Sequence, residues 1–428
     1  MVRLASLVQL APIALSWGAV LPRHIKEYDA IVVGGGPSGL SALSGLARVR
    51  RNVLLIDSGE YRNAKTRHIH DLLGFDGVTP AYYRWAAREQ LAHYDTVSWI
   101  NGTVTSITAS GNSSYTSFIV SSTSFNNTQE TYLARKIVLG TGIRDLLPDT
   151  PGLQENWAQG IFWCPWCDGH EHADQSLGLI VPLEEAATTL QEVLTLNTDV
   201  IAFVNGTDTP EGRAAATEAF PQWEEYLALH NVKIENRTLA SITRLKDGSD
   251  AYKYADPSLP TVPEYDLFRV DFTEGEPVER AAFLVSFPKE QRSRVGADLG
   301  VTLYGERLYA NQSNGMLTNV PGVYAVGDAN TDNSTNLPHA LWSGKRAAVN
   351  LHVRSSRPNC STPQGTLNQL EHPVTNELLR AVKLEKEDGL KDLGQLAKRS
   401  AHGLDARSLW EIMNDEPGQA LYAGELDQ

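Results

Sequence analysis

Tyr28-Asp29-Ala30-Ile31-Val32-Val33-Gly34-Gly35-Gly36-Pro37-Ser38-Gly39 runs a short apolar strand straight into a glycine turn. Leu40 to Val49 then reads as a helix, and Asn52 to Ile56 as a second strand that ends on Asp57. A lone G-x-G-x-x-G is a weak signal. With a strand before it, a helix after it and an acid at the end of the next strand, it predicts a βαβ unit built to hold a dinucleotide. Gly34 allows the turn, Gly36 lets backbone N–H groups approach a pyrophosphate, and Gly39 permits close helix packing. Gly35, Pro37 and Ser38 complete the loop, and Asp57 can accept hydrogen bonds from a ribose.

Downstream, residues 97–137 alternate apolar and polar positions between Ser, Thr and Asn turns, the pattern of an antiparallel meander. The meander runs into Ile137-Val138-Leu139-Gly140-Thr141-Gly142, a strand ending on glycines. Far along the chain, Val323-Tyr324-Ala325-Val326-Gly327-Asp328 repeats that logic, and Leu337-Pro338-His339-Ala340 opens another helix. Segments this far apart are expected to meet at one cofactor. The predicted fold class is therefore α/β: a Rossmann-like first domain over residues 25–148, an inserted α/β domain over 149–285, and a return to the first domain over 286–357. Residues 358–428 form an extension belonging to neither domain.

The inserted region carries Cys164-Pro165-Trp166-Cys167 followed by Asp168-Gly169. Two thiols at this spacing can close a redox-active disulfide, and a helix start there would favour the thiolate. Asp168 is positioned to move protons, with His170 and His172 as further choices. Two other readings stand beside it. Cys164, Cys167, His170 and His172 carry zinc-ligand chemistry, although they crowd into nine residues without a long spacer, and a purely structural disulfide is the third possibility. No metal is expected. Trp163 and Trp166 flank the cysteines and would shape a groove or pack the motif against the first domain.

The chain has 428 residues, three cysteines and a formal net charge of −14. The length suits two ordinary domains, and the acidic balance without a basic run argues against a nucleic-acid partner. Residues 1–18 place Arg3 before an apolar run and small residues, the pattern of a cleaved secretory leader. Its polar and proline interruptions do not suit a membrane span. Glycosylation sequons begin at Asn101, Asn112, Asn126, Asn205, Asn236, Asn311, Asn333 and Asn359, also pointing to a secreted, glycosylated protein. Cys360 is left over, in a loop-like context.

This arrangement resembles the low-molecular-weight thioredoxin reductase family of FAD enzymes, through GGGPSGL, C-x-x-C-D-G and VYAVGDA in the family's order over roughly residues 28–355. Asp57 to Asn63, His68-Ile69-His70 and Pro338 to Gly344 look like the fungal branch that holds dithiol oxidases of the gliotoxin type and secreted sulfhydryl (glutathione) oxidases. The resemblance implies FAD as cofactor and a homodimer. It implies Gly34 to Gly39 on the pyrophosphate, Asp57 on the adenosine ribose, Arg62, Asn63 and His70 along the cofactor, and Asp328 on the ribityl side. His339 and Ala340 would present a helix N-terminus to the flavin ring, with His339 a candidate base. Cys167 would face the flavin and Cys164 the substrate.

One departure bears on function. Typical members have a second dinucleotide fingerprint just after C-x-x-C, for NADPH. Here that stretch reads Leu177-Gly178-Leu179-Ile180-Val181-Pro182-Leu183-Glu184-Glu185-Ala186-Ala187, keeping the strand and losing the glycines. Glu184 and Glu185 put negative charge where phosphates would dock, and no basic cluster follows the next strand apart from Arg213. The inserted domain thus resembles a degenerate NADPH domain. The expected function is an FAD-dependent thiol oxidase that makes disulfides from small or peptide thiols and passes electrons to O2, giving H2O2. An NADPH-dependent thioredoxin-type reductase and a non-catalytic flavin-binding redox sensor are the alternatives.

Overall fold

The computed structural model describes residues 25–112, 115–254 and 259–355. The leader, the sequon at Asn359, Cys360 and the C-terminal extension lie outside the described residues, as does part of the sequon that begins at Asn112.

β1 (Glu27–Val33), α1 (Pro37–Ala47) and β2 (Val53–Asp57) form the βαβ unit. The two strands pair in parallel, Ala30 to Val33 against Val53 to Ile56. Ala30 to Val33 and the whole of β2 are buried, which explains their unbroken apolar runs. α2 (Pro80–Ala92) starts at Thr79, whose hydroxyl accepts from the Tyr82 N–H, and leads to β3 (Val97–Asn112).

β3 serves two sheets in one. Residues 97–101 pair in parallel with β2, and residues 102–112 pair antiparallel with β4 (Tyr115–Ser124). The change of partner falls at Gly102, where a Cβ would run into the backbone of Thr123 and Ser124. β5 (Gln129–Leu139) does the same in reverse, antiparallel to β4 through Gln129 to Ala134 and then parallel beside β1. The expected meander is thus present, with both ends built into the parallel sheet.

β6 (Ile143–Asp145) leads out to the insertion, which begins with β7 (Ile161–Phe162), α3 (Pro165–Asp168), β8 (Leu177–Ile180), α4 (Leu183–Val193) and β9 (Val200–Phe203). It continues through α5 (Pro210–Ala219), α6 (Trp223–Leu229) and β10 (Lys233–Glu235). β11 (Leu239–Lys246), β12 (Leu267–Phe272) and β13 (Val278–Arg280) form an antiparallel sheet. β14 (Ala282–Val285) completes a parallel sheet of order β10-β9-β8-β14-β7. Its two faces pack separate apolar clusters, one under α4 to α6 around Leu190 and Trp223, the other against β11 and β12 around Phe203, Phe268 and Phe283.

The chain returns through β15 (Lys289–Gln291), antiparallel to β6. α7 (Val295–Asp298) and the hairpin of β16 (Leu303–Tyr304) and β17 (Arg307–Leu308) precede β18 (Val323–Ala325), which pairs in parallel with β5. α8 (Leu337–Ser355) then lies across α1. Their approach is close enough that a Cβ at Gly344 would strike the Ser38 carbonyl oxygen, and one at Gly45 would strike the Ala348 methyl. The outcome is the predicted α/β architecture, a Rossmann-like domain interrupted by a second α/β unit.

Enlarging this contact overpacks the seam behind the cradle. Gly344→Leu is expected to lower stability by about 1–3 kcal/mol, while Val349→Ala, at a half-exposed position on the same helix, stays within about 0.5 kcal/mol of wild type. Midpoints of denaturant unfolding decide the comparison.

Candidate functional site

The first glycine turn opens onto a cavity whose walls also come from the end of β2, the segment after β5, the C-x-x-C stretch and the returning segments around Asp328 and Ala340. Gly34 to Ser38, Asp57, Arg62, Asn63, His70, Gly142, Asp328 and Ala340 line it, together with Cys167 and Asp168 from the insertion. Gly39 lies behind the lining, where a Cβ would overlap the Gly34 carbonyl oxygen, so its role is the close packing of helix on strand. Gly34 adopts φ +99°, the left-handed region that its side-chain-bearing neighbours avoid.

Three observations make this cradle fit a dinucleotide. A Cβ built on Gly36 would meet nothing within 4 Å, so the backbone there is bare to the cavity. Gly36 is also the N-cap of α1, with no side chain capping the helix, which leaves N–H groups available to an anion. The Thr141 hydroxyl oxygen, in the glycine-flanked end of the fifth strand, is buried on the lining without a hydrogen-bond partner. Asp57 lies beside Gly35 and accepts from Tyr61, Arg88 and the Gly59 N–H, so two groups the motif did not reveal help to orient it.

Arg62 joins the cavity to the connection between domains. Its Nε and Nη2 both donate to Asp145 on β6 at 2.8 Å, its Nη1 donates to Asp328 at 3.2 Å, and its guanidinium lies over the Trp163 ring at 4.7 Å. His70 stands 3.3 Å from Asp76 and 3.4 Å from Glu171, reaching from the first domain to the insertion. Sequence reasoning gave no role to neighbouring His68, which also lines the cavity; burial, with the charges of His70 and Arg67, holds its imidazole down at about 3 and keeps it neutral.

Cys164 and Cys167 are joined in a disulfide, with Cα atoms 5.2 Å apart. Cys164 is the N-cap of α3 and Cys167 lies inside that short helix. Cys167 lines the cavity, whereas Cys164 does not, and Trp166 beside it is 67% exposed. Of the bonded pair, Cys167 is the residue on the cavity lining. Asp168, next to Cys167 in the chain, is pushed well above the usual carboxylate range, first by burial and then by the charge of Glu264.

Beneath α3 lies a charge cluster with no sequence signature. His172 Nδ1 is 2.9 Å from the Asp168 carbonyl oxygen and its Nε2 is 3.4 Å from Asp266. Burial opposes its charge, but the bond to Asp266 and the charge of Glu264 outweigh it and raise its pKa. Ligand atoms of His172, Glu264 and Asp266 lie within 4.8 Å of one another, a grouping of the kind that takes a cation. That cation is already supplied by Arg67, which donates to both carboxylates. The four-ligand zinc reading does not match the geometry, because the cysteines are bonded to each other, His172 faces carboxylates and His170 is exposed.

His339 is not brought to the cavity. Its Nε2 is 2.6 Å from Asp332 and its ring packs beside Trp342, so the first turn of α8 turns this side chain away while Ala340 stays on the lining. Asn336, absent from the sequence reasoning, accepts the His339 N–H and lines the cavity instead. A serine, threonine or aspartate at that position would have read as a cap just as well, so nothing in the sequence marked it.

The His172 shift has a measurable consequence. A histidine whose folded pKa is raised contributes stability that is complete below its unfolded value of about 6.5 and is lost as pH rises through the folded value. Thermal unfolding midpoints are therefore expected to decline on the alkaline side in the wild type, and to decline less steeply in His172→Gln. Parallel curves for the two proteins would show that His172 is neutral in the fold.

The chain matches the family model described as pyridine nucleotide-disulphide oxidoreductase over residues 28–344. It is 45% identical over 384 residues to a probable thioredoxin reductase of Arthroderma benhamiae, covering 88% of this chain and 93% of that one. It is 28% identical over 322 residues to the thioredoxin reductase tcpT of Claviceps purpurea, covering 74% and 90%. Among solved structures, an oxidoreductase from Agrobacterium tumefaciens superimposes with a TM-score of 0.62 at 25% identity, over 76% of this chain and 98% of that one. A match that runs from the strand before the cradle into the helix behind it, with the Cys164–Cys167 disulfide in between, makes the chain a thioredoxin reductase-like member of the pyridine nucleotide-disulphide oxidoreductase family.

Proposed function

We propose that this protein is an FAD-dependent thiol oxidase that joins small or peptide thiols into disulfides and uses O2 as the final acceptor, with the overall balance 2 RSH + O2 → RSSR + H2O2. The observation that carries the reading is the state of the second nucleotide cradle. Where the first has bare glycine backbone at a helix N-terminus, the second has Pro182 at the N-cap of α4 with Glu184 and Glu185 in its first turn. The Leu183 N–H, which would face a phosphate, donates to the Thr207 hydroxyl at 2.9 Å. Gly178 is a packing residue, since a Cβ there would meet Phe283 and Phe203. Arg213, the cation after the next strand, is paired with Asp208 and Glu224. Two carboxylates and a filled N–H oppose a nucleotide phosphate.

Without reduction by a nicotinamide, electrons enter from thiols. A substrate thiolate attacks Cys164, the Cys164–Cys167 bond breaks, and Cys167 leaves as a thiolate beside Asp168, whose burial favours the protonated form. A second substrate thiolate then attacks the substrate sulfur of the mixed disulfide, releasing RSSR and the Cys164 thiolate. Gly34 to Ser38 and Asp57 would hold FAD, with Arg62, Asn63 and Asp328 along its length. When bound, FAD supplies the two-electron acceptor that closes the disulfide again and the centre from which O2 takes the pair. The secretory leader and the sequons support an oxygenated setting, and Asn126 and Asn333 are exposed on the fold.

The names of the relatives favour a second reading, an NADPH-dependent thioredoxin-type reductase. Purified FAD-loaded protein is expected to consume O2 and release H2O2 with reduced glutathione or dithiothreitol, and Cys164→Ser to lose at least about 1,000-fold of that rate. NADPH with an added disulfide is expected to give no turnover. Turnover with NADPH alone would establish the reductase instead, and flavin reduction by thiols without oxygen uptake would leave a redox sensor.

A further inference from the structure

The redox helix and the cavity belong to different parts of the fold, joined covalently through β6 and β15. The contacts that hold one on the other converge on a single stretch, residues 62–70, in the loop between β2 and α2. Lys65 Nζ donates to the Gln154 carbonyl, and Gln159 donates back to the Lys65 carbonyl. Arg67 is the centre of the stretch. Its side chain is 8% exposed and enters the insertion to meet Glu264, both oxygens of Asp266 at 2.8 and 3.0 Å, and Asp247 at 2.8 Å.

Asp266 passes the contact on. Its side chain is fully buried, and besides Arg67 it accepts from Arg244 at 2.8 Å and the Gly248 N–H at 2.9 Å. Its other contact is His172, which in turn donates to the carbonyl of Asp168, the last residue of α3. One chain of bonds therefore runs from the first domain through Arg67, Asp266 and His172 to the end of the helix that carries Cys167. Arg67, Arg244 and His172 face Asp247, Glu264 and Asp266, so the cluster is electrically matched.

We infer that Arg67 is a positioning residue for electron transfer between the redox disulfide and the cofactor, clamping the insertion so that Cys167 stays on the cavity. Its planar fork reaches three carboxylates at once, which a lysine cannot match. The role concerns the step between Cys167 and the cofactor, so it stands whichever partner finally takes the electrons. Cys164 is off the cavity, and its exchange with external thiols does not need the clamp.

The test separates those two steps. Dithiothreitol reduction of Cys164–Cys167, followed by alkylation and mass measurement in FAD-free protein, is expected to proceed at the wild-type rate in Arg67→Met. Anaerobic bleaching of the flavin by the same thiol in FAD-loaded protein is expected to slow by about 100-fold, the scale set by a misplacement of about 1 Å. Arg67→Lys should bleach at an intermediate rate. Bleaching of Arg67→Met at the wild-type rate would overturn the inference. If Arg67→Met does not fold, Arg67→Lys decides: slowed bleaching with unchanged disulfide reduction supports the clamp, and wild-type bleaching assigns Arg67 to folding alone. Equal slowing of both steps in either variant would also overturn it.

Discussion

Asp266 is a fully buried carboxylate that receives Arg67, Arg244 and His172 together, and so ties the first domain to the helix that carries the disulfide. Burial alone would push a proton onto it. Bonds from His172 and Arg67, with the Gly248 N–H, more than offset that and hold its pKa well below the ordinary range. The consequence spreads outward. The bond to Asp266 raises the His172 pKa, and His172 Nδ1 reaches the Asp168 carbonyl oxygen at the end of α3. The nearby charge of Glu264 discourages Asp168 from ionising, so Asp168 and Asp266, far apart in the chain and joined through His172, are shifted in opposite directions for physical reasons that can be named.

The two halves of the molecule use the same βαβ device to different ends. In the first, glycines keep backbone bare, the helix N-terminus lacks a side-chain cap, and a threonine hydroxyl lies buried on the lining without a partner. In the second, strand and helix pack just as well, with Leu179, Leu183, Ala186 and Leu190 buried, but the turn between them is closed by Pro182 and by the Thr207 hydroxyl. Packing a helix on a strand requires only apolar faces. Receiving a phosphate requires free N–H groups and no opposing charge, and that requirement is the one the second turn fails.

The strands between the cradles show how a cavity with many walls is made from one sheet. β3 and β5 each change partners midway, so the antiparallel meander is continuous with the parallel core. Gly102 to Val104, at the change of partner in β3, and Gly140 to Ile143, at the end of β5, therefore reach the same cavity as Gly34 to Ser38. Arg62 spans the remaining gap by pairing with Asp145 at the exit to the insertion and with Asp328 at the end of β18.

By itself the sequence determined the first glycine turn, the closely spaced cysteine pair and the loss of the second set of glycines. Each of these is local. A glycine at a positive φ, an apolar run of strand length, or two cysteines three residues apart carries its meaning in its nearest neighbours. The tertiary structure alone decided that His339 turns to Asp332 while Asn336 takes its place on the lining, and that Arg67 meets Asp266 from 199 residues away. Charged residues scattered along an acidic chain have many possible partners, and only the folded arrangement of strands and helices selects among them, because a buried charge is tolerated solely where its partners converge.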